Sequence, residues 1–187
     1  VSANSKENIG GDIEITADEI VVSKEAKISA TGELGGGQVL VGGSWQNSDP
    51  GVYQATSTEV AEGSVIDASA ITKGDGGEVV IWSKIDDKSA VTYASGSIFS
   101  RGGLLGGNGG RIETSGGKLN ISGISVDTKS ISGSDGTWLI DPYDIIITSS
   151  GSDYSNSGGI WTANADSSQI SVSDIVTGLA SSNITIS

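Results

Sequence analysis

Ile66-Asp-Ala-Ser-Ala-Ile-Thr-Lys-Gly-Asp-Gly-Gly-Glu-Val79-Val-Ile81 contains the plan on which the rest of the chain is built. An apolar anchor leads into small residues, then a glycine-rich turn, a Gly-Gly pair and an apolar alternation. The same order returns in Ile28-Ser-Ala-Thr-Gly-Glu-Leu-Gly-Gly-Gly-Gln-Val39-Leu-Val41 and from Ile98 through Gly109-Gly110 to Ile112-Glu-Thr114. Val126 to Ile140 is a degenerate fourth copy, and Gly10-Gly11-Asp-Ile13-Glu-Ile15 is an earlier half-copy. The anchors Ile28, Ile66, Ile98 and Val126 are 38, 32 and 28 residues apart. A drifting period with a constant turn motif describes coils of one design joined by loops of variable length. Gly36-Gly37, Gly76-Gly77 and Gly109-Gly110 then mark one corner on successive coils, on the expectation that glycine alone takes φ > 0 there without penalty.

The apolar segments outside these turns are short and alternate, as in Ile20/Val22, Val79/Ile81, Leu119/Ile121 and Ile184/Ile186. Period-two alternation buries one face of a strand. Composition agrees: 23 Ile and 14 Val stand against 7 Leu and 1 Phe, and β-branched side chains suit a pleated sheet better than a helix. No segment before the last forms a helix long enough to cover a sheet, so a βαβ layer is excluded. The expectation is an all-β parallel β-helix, one domain over residues 1–187. At about 20–25 residues per coil this makes about eight coils and a rod of roughly 40 Å. Residues 42–58 are an insertion, Ser173–Ala180 a short helix capped by Ser173, and Asn183–Ser187 a final strand.

Charge and missing residue types narrow the function. The chain has no His, Cys or Met, and its net charge is −13. That removes Ser-His-Asp and Cys-His catalysis, ordinary zinc sites, thiolate clusters and disulfides. The acidic balance repels phosphate backbones and anionic lipid, so nucleic acid is not an expected partner. No apolar run approaches the 18 residues of a membrane span. The opening Val1-Ser2-Ala3-Asn4-Ser5-Lys6 has neither an apolar signal core nor an initiator Met. It is expected to begin a processed product or a piece of something longer.

Several motifs resemble a known family. Gly74-Asp-Gly-Gly-Glu-Val-Val-Ile-Trp82-Ser83, followed by Ser100-Arg-Gly-Gly-Leu-Leu-Gly-Gly-Asn-Gly-Gly-Arg-Ile-Glu-Thr-Ser115, resembles a stretch of filamentous-haemagglutinin-like exoproteins. Trp138-Leu-Ile-Asp-Pro142-Tyr-Asp-Ile-Ile-Ile-Thr148 is similar to that family's "LLLDPxDIxI" element, and Ile170 to Ser187 resembles its closing segment. The likeness runs from about Gly10 to the end. It implies a secreted, surface-displayed bacterial adhesin of the two-partner secretion type, folded as a right-handed parallel β-helix. Its partners would be an outer-membrane transporter for the parent protein and a surface glycan or protein receptor. The family's "NPNG" secretion-domain signature is absent, which places the piece in the stalk.

Candidate chemistry is sparse. Gly102–Gly110 has no Lys-Ser/Thr ending, so it is no phosphate loop. Gly106-Gly107-Asn108-Gly109-Gly110-Arg111 has Arg where a calcium roll needs Asp, and no metal or cofactor is expected. Asp75 and Asp135 are read as turn residues. The pairs Asp86/Asp87 and Asp141/Asp144 could serve a glycosidase, but they are read as a solvated turn and a corner. Trp82, Trp138 and Trp161 are read as core or corner fillers. Trp45 and Tyr53 bracket the 42–58 insertion and are the candidate ligand-binding residues; the alternative is a loop folded over the rod with Trp45 tucked beneath it. Sequons at Asn120 and Asn183 fall on predicted strands. The expected role is a non-enzymatic rigid stalk; the second reading is a self-assembling extracellular filament subunit whose coil ends associate. A carbohydrate-active enzyme is the third reading.

Overall fold

The computed structural model describes residues 1–149, 154–157, 160–163 and 168–187. Its strands come in groups. The first group is β1 (Asp12–Ile15), β2 (Glu19–Val22) and β3 (Lys27–Ser29), and the second is β4 (Gln38–Val41), β5 (Ser57–Val60) and β6 (Val65–Asp67). Next come β7 (Glu78–Trp82), β8 (Val91–Ala94) and β9 (Ser97–Phe99), then β10 (Arg111–Gly116), β11 (Lys118–Asn120) and β12 (Ser125–Asp127). The C-terminal part holds β13 (Thr137–Pro142), β14 (Ile145–Thr148), β15 (Tyr154–Ser157), β16 (Ile160–Ala163), β17 (Ser168–Ser171), α1 (Val172–Leu179) and β18 (Asn183–Ile186).

Each group lies on the one before. β1-β4-β7-β10-β13-β18 form a six-stranded sheet, and β2-β5-β8-β11 and β3-β6-β9-β12 form four-stranded sheets. Every pair in these sheets is parallel. The chain therefore visits three sheets in turn and returns one level higher.

Register places like on like. Ile28, Ile66, Ile98 and Val126 are direct neighbours up the third sheet. Ile13, Val39, Val79, Ile112, Trp138 and Ile184 form the matching column on the first. These columns point into one continuous apolar core. Ala30, Ala68, Ser100 and Thr128 follow the third-sheet anchors, all buried, where the core narrows at the glycine corner.

The coils are longer than expected. The first sheet repeats after 26, 40, 33, 26 and 46 residues, from Asp12 through Gln38, Glu78, Arg111 and Thr137 to Asn183. Three strands and three corners need more chain than the 20–25 residues assumed from the sequence. The stack is six levels deep on that sheet instead of eight, or roughly 25 Å along the axis.

In three of the four coils the second-to-third sheet corner is a four-residue turn, Ser23–Ala26, Ala61–Ser64 and Ile121–Ile124, closed by i→i+3 hydrogen bonds of 3.0 to 3.1 Å, whereas only Ser95-Gly96 joins β8 to β9. The third residue of the turn has positive φ: Glu25 at 66°, Gly63 at 83° and Gly123 at 80°. That is the type II geometry, which favours glycine at this position.

At the C-terminal end α1 spans Val172–Leu179, and its cap is Ser171 in place of the expected Ser173; the Ser171 hydroxyl accepts from the Asp174 N–H at 3.1 Å. Ile175 packs on the core, and Gly178 sits against the Trp138 ring so closely that an added Cβ would lie 2.6 Å from it. Val176 and Leu179 are exposed. β14 pairs with β17 in parallel, whereas β15 and β16 pair antiparallel, a departure from the all-parallel expectation. The side chain of Trp161 lies outside the described residues.

Candidate functional site

The glycine pairs stack into two columns. The N–H of Glu78 donates to Gly37 O at 3.0 Å, that of Arg111 to Gly77 O at 3.0 Å and that of Thr137 to Gly110 O at 3.0 Å. Within each coil Gly37, Gly77 and Gly110 donate back across the corner to Ala30, Ala68 and Ser100, each at 2.8 Å. None of Gly36, Gly37, Gly76, Gly77, Gly109 or Gly110 has positive φ, so the conformational reason expected from the sequence is wrong. Space is the reason. A Cβ on Gly77 would lie 1.9 Å from Gly37 O, and one on Gly110 would lie 2.1 Å from Gly77 O. The positive φ values belong to nearby Gly35, Gly74, Gly106 and Gly107.

This bare corner is the floor of an open groove of about 590 Å³. Gln38, Glu78 and Arg111 follow the glycines along one side, and Asp75 and Asp135 precede them on the other. The first three residues are register neighbours and bond in a ladder. Gln38 Nε2 donates to Glu78 Oε1 at 2.8 Å, and Arg111 pairs with the other oxygen of Glu78. Asp75 is more than a local turn residue, because it accepts from the Asn108 N–H of the next coil at 2.7 Å. Asp135 accepts from Ser130 N–H at 2.8 Å.

Arg111 brings Trp45 to this groove: its guanidinium lies 4.4 Å from the centre of the Trp45 ring. Trp45 begins a short 3-10 turn, Trp45–Asn47, in which Gln46 and Asn47 have φ of 47° and 53°. The excursion runs from Gly42 to Thr56, since Ser57 and Thr58 belong to β5. It is a strap over the outer face of the first sheet, where Val52 packs with Leu40, Val80 and Trp82. Gln54 Oε1 accepts from Trp82 Nε1 at 3.1 Å. Trp82 therefore fills the space under the strap, and Trp138 fills the main core. Tyr53 does not converge with Trp45. It is half-exposed and donates to the Asp18 carboxylate.

Glu113 is the residue that sequence reasoning missed. It stands outward between Val80 and Leu139, yet it is fully buried because the strap covers it. Its carboxyl accepts from the Gln46 N–H at 2.8 Å and from the Ser115 hydroxyl at 2.7 Å. Burial pushes its pKa up to about 7; those hydrogen bonds pull it down, and Asp141 and Glu78 add repulsion. Alternation marks Glu113 as outward. The cover comes from residues about seventy positions earlier, which no local pattern shows.

The carboxylate pairs singled out for catalysis do not line the groove. Asp87 is held below its usual range chiefly by hydrogen bonds from Ser89, Asp141 is raised by burial, and Asp144 is exposed. Glu113 has a pKa suited to proton transfer, but the strap keeps any substrate from it. Of the sequon residues, Asn120 is buried and caps the Ser122 N–H, whereas Asn183 is exposed and donates to Asp135 O and Gly136 O. No protein-family model matches the chain, and no curated protein matches it either.

Proposed function

We propose that this chain is a rigid, non-catalytic segment of a secreted bacterial surface adhesin of the filamentous-haemagglutinin type, wound as a right-handed parallel β-helix. The observation that supports it is the in-register stack of matching coils, with Ile28, Ile66, Ile98 and Val126 on one column and Gly37, Gly77 and Gly110 on another. Parallel strands joined by crossovers are right-handed in about 98% of cases. The shape offers reach, and the groove offers contact. Glu78, Arg111 and Asp75 present donors and acceptors around a bare floor beside Trp45, which suits a hydroxyl-rich ligand such as a surface glycan. A glycan array tests this. Binding that falls in both Arg111→Ala and Trp45→Ala, with the circular-dichroism spectrum kept, supports the reading. Hydrolysis or elimination of an oligosaccharide by the chain would contradict it.

A second reading, an end-to-end filament subunit, is favoured by the first level. There Val1, Ile15, Ile20, Val22 and Ile28 line an open, mainly apolar cavity of about 360 Å³. At the other end β18 is an edge strand.

A further inference from the structure

The corner that contains the glycine pairs also turns one or two large aliphatic side chains outward at each of five levels. Ile9, Leu34, Ile71, Leu104, Leu105 and Ile131 precede the pairs in successive coils and are 42 to 76% exposed. Backbone bonds place them one above another. The Leu34 N–H donates to Asn8 O at 3.1 Å, Ile71 N–H to Gly32 O at 2.8 Å and Leu104 N–H to Ile71 O at 3.2 Å. Ser130 of the last level donates to Gly107 O at 2.6 Å. The six side chains thus form one ridge along the coil axis. At these exposures the ridge offers roughly 600 Å² of apolar surface, the upper limit of what a monomer usually leaves bare.

Charge identifies the occupant. The chain carries −13, and two copies repel over most of their surface. The corner segments 5–10, 31–37, 70–77, 101–110 and 129–136 are different. They hold Lys6, Lys73, Arg101 and Lys129 against Glu7, Glu33, Asp75 and Asp135, and with Asp127, the ion-pair partner of Arg101, the balance is only −1. This is a strip where a second −13 chain can approach with little net repulsion, and its spacing is the spacing of the ridge it would meet.

We propose that the ridge is a lateral self-association surface on which a second copy of this chain packs side by side about a two-fold axis. An isologous contact uses the same patch on both copies, and roughly 600 Å² per copy is somewhat below the about 800 Å² of a standard interface. The dimer is accordingly weak and reversible. Salt tightens it, because screening reduces the repulsion between the acidic remainders. The inference stands apart from the adhesin reading.

Sedimentation velocity of the 187-residue chain over a concentration series tests it. The expected result is a monomer–dimer equilibrium that shifts toward dimer with added salt. Leu105→Glu combined with Ile131→Glu is expected to raise the dissociation constant at least about tenfold, and Leu34→Glu to act in the same direction. All three positions are surface ones, and unchanged circular dichroism and melting show that the variants fold. Ile186→Lys, at the coil end, leaves the dimer intact. A monomer at every concentration, or a dimer indifferent to the ridge variants, overturns the proposal. So does assembly broken by Ile186→Lys alone, which assigns the contact to the coil ends. A monomer that co-sediments with neutral phosphatidylcholine vesicles through the ridge would assign it to a lipid surface and overturn it as well.

Discussion

The backbone N–H of Gln46 donates 2.8 Å to the carboxyl of Glu113, a residue 67 positions later in the chain. This bond holds the strap to the outer face of the first sheet at a carboxyl that burial has raised to about 7 from an ordinary 4.5. The folded chain therefore binds the Glu113 proton more tightly than the unfolded chain does. Below about pH 4.5 both states are protonated and the group contributes nothing to the pH dependence. Between about 4.5 and 7 ionisation is progressively penalised in the fold, so stability falls as pH rises, by about 3 kcal/mol in all, and levels off above. Urea unfolding at two pH values checks this. Glu113→Gln is expected to match the parent near pH 5 and to be more stable near pH 8.

Gly77 has no room for a methyl group, since its Cβ would lie 1.9 Å from Gly37 O. Gly77→Ala is expected to cost at least about 3 kcal/mol or to abolish folding, because stacked backbones cannot shift singly. Gly106 is the contrast. Its φ is 142° and a Cβ there would meet nothing within 4 Å, so Gly106→Ala should cost about 1–3 kcal/mol, from backbone strain alone. Thermal melts of the two variants separate the spatial from the conformational need for glycine.

Glu25 occupies, at φ 66°, the turn position that Gly63 and Gly123 hold in later coils. Glu25→Gly is expected to stabilise the chain by about 0.5 to 1 kcal/mol, and Gly63→Ala to destabilise it by about 1. Chemical denaturation midpoints for the two single variants check both signs.

Ile98 is fully buried between Ile66 and Val126. Ile98→Ala should lose about 2–5 kcal/mol through the cavity it leaves, measurable as a lower urea midpoint with an unchanged slope.

What the sequence shows and what it hides divide along one line. Contacts that repeat once per coil are written as repeats, so the Ile28–Ile66–Ile98–Val126 column and the glycine corner are legible from spacing alone. The physical cause at that corner is not, because φ > 0 and missing space both demand glycine; only the stacked backbones tell them apart. Contacts made once are hidden. The strap that turns Glu113 from a solvated outward position into a buried one has no partner in any other coil. Trp45 could be singled out from its place in a polar insertion, but its contact with Arg111 depends on how that insertion folds back. Gly158-Gly159 separates β15 from β16 by the two residues that favour a hairpin, and the parallel pattern around it obscures the signal.

Glu19 and Ser57 are direct neighbours in the pairing of β2 with β5, and the chain has no natural cysteine to compete with an introduced pair. Adjacent parallel strands lie about 4.8 Å apart, within the range a disulfide spans. Oxidation of the double variant Glu19→Cys/Ser57→Cys is predicted to form an intramolecular cross-link rapidly and without loss of stability. Val21→Cys/Ser57→Cys, two residues out of register on the same outer face, is predicted to form little. Equal cross-linking of both pairs, or a preference for the second, would contradict the in-register stack of coils on which this account rests.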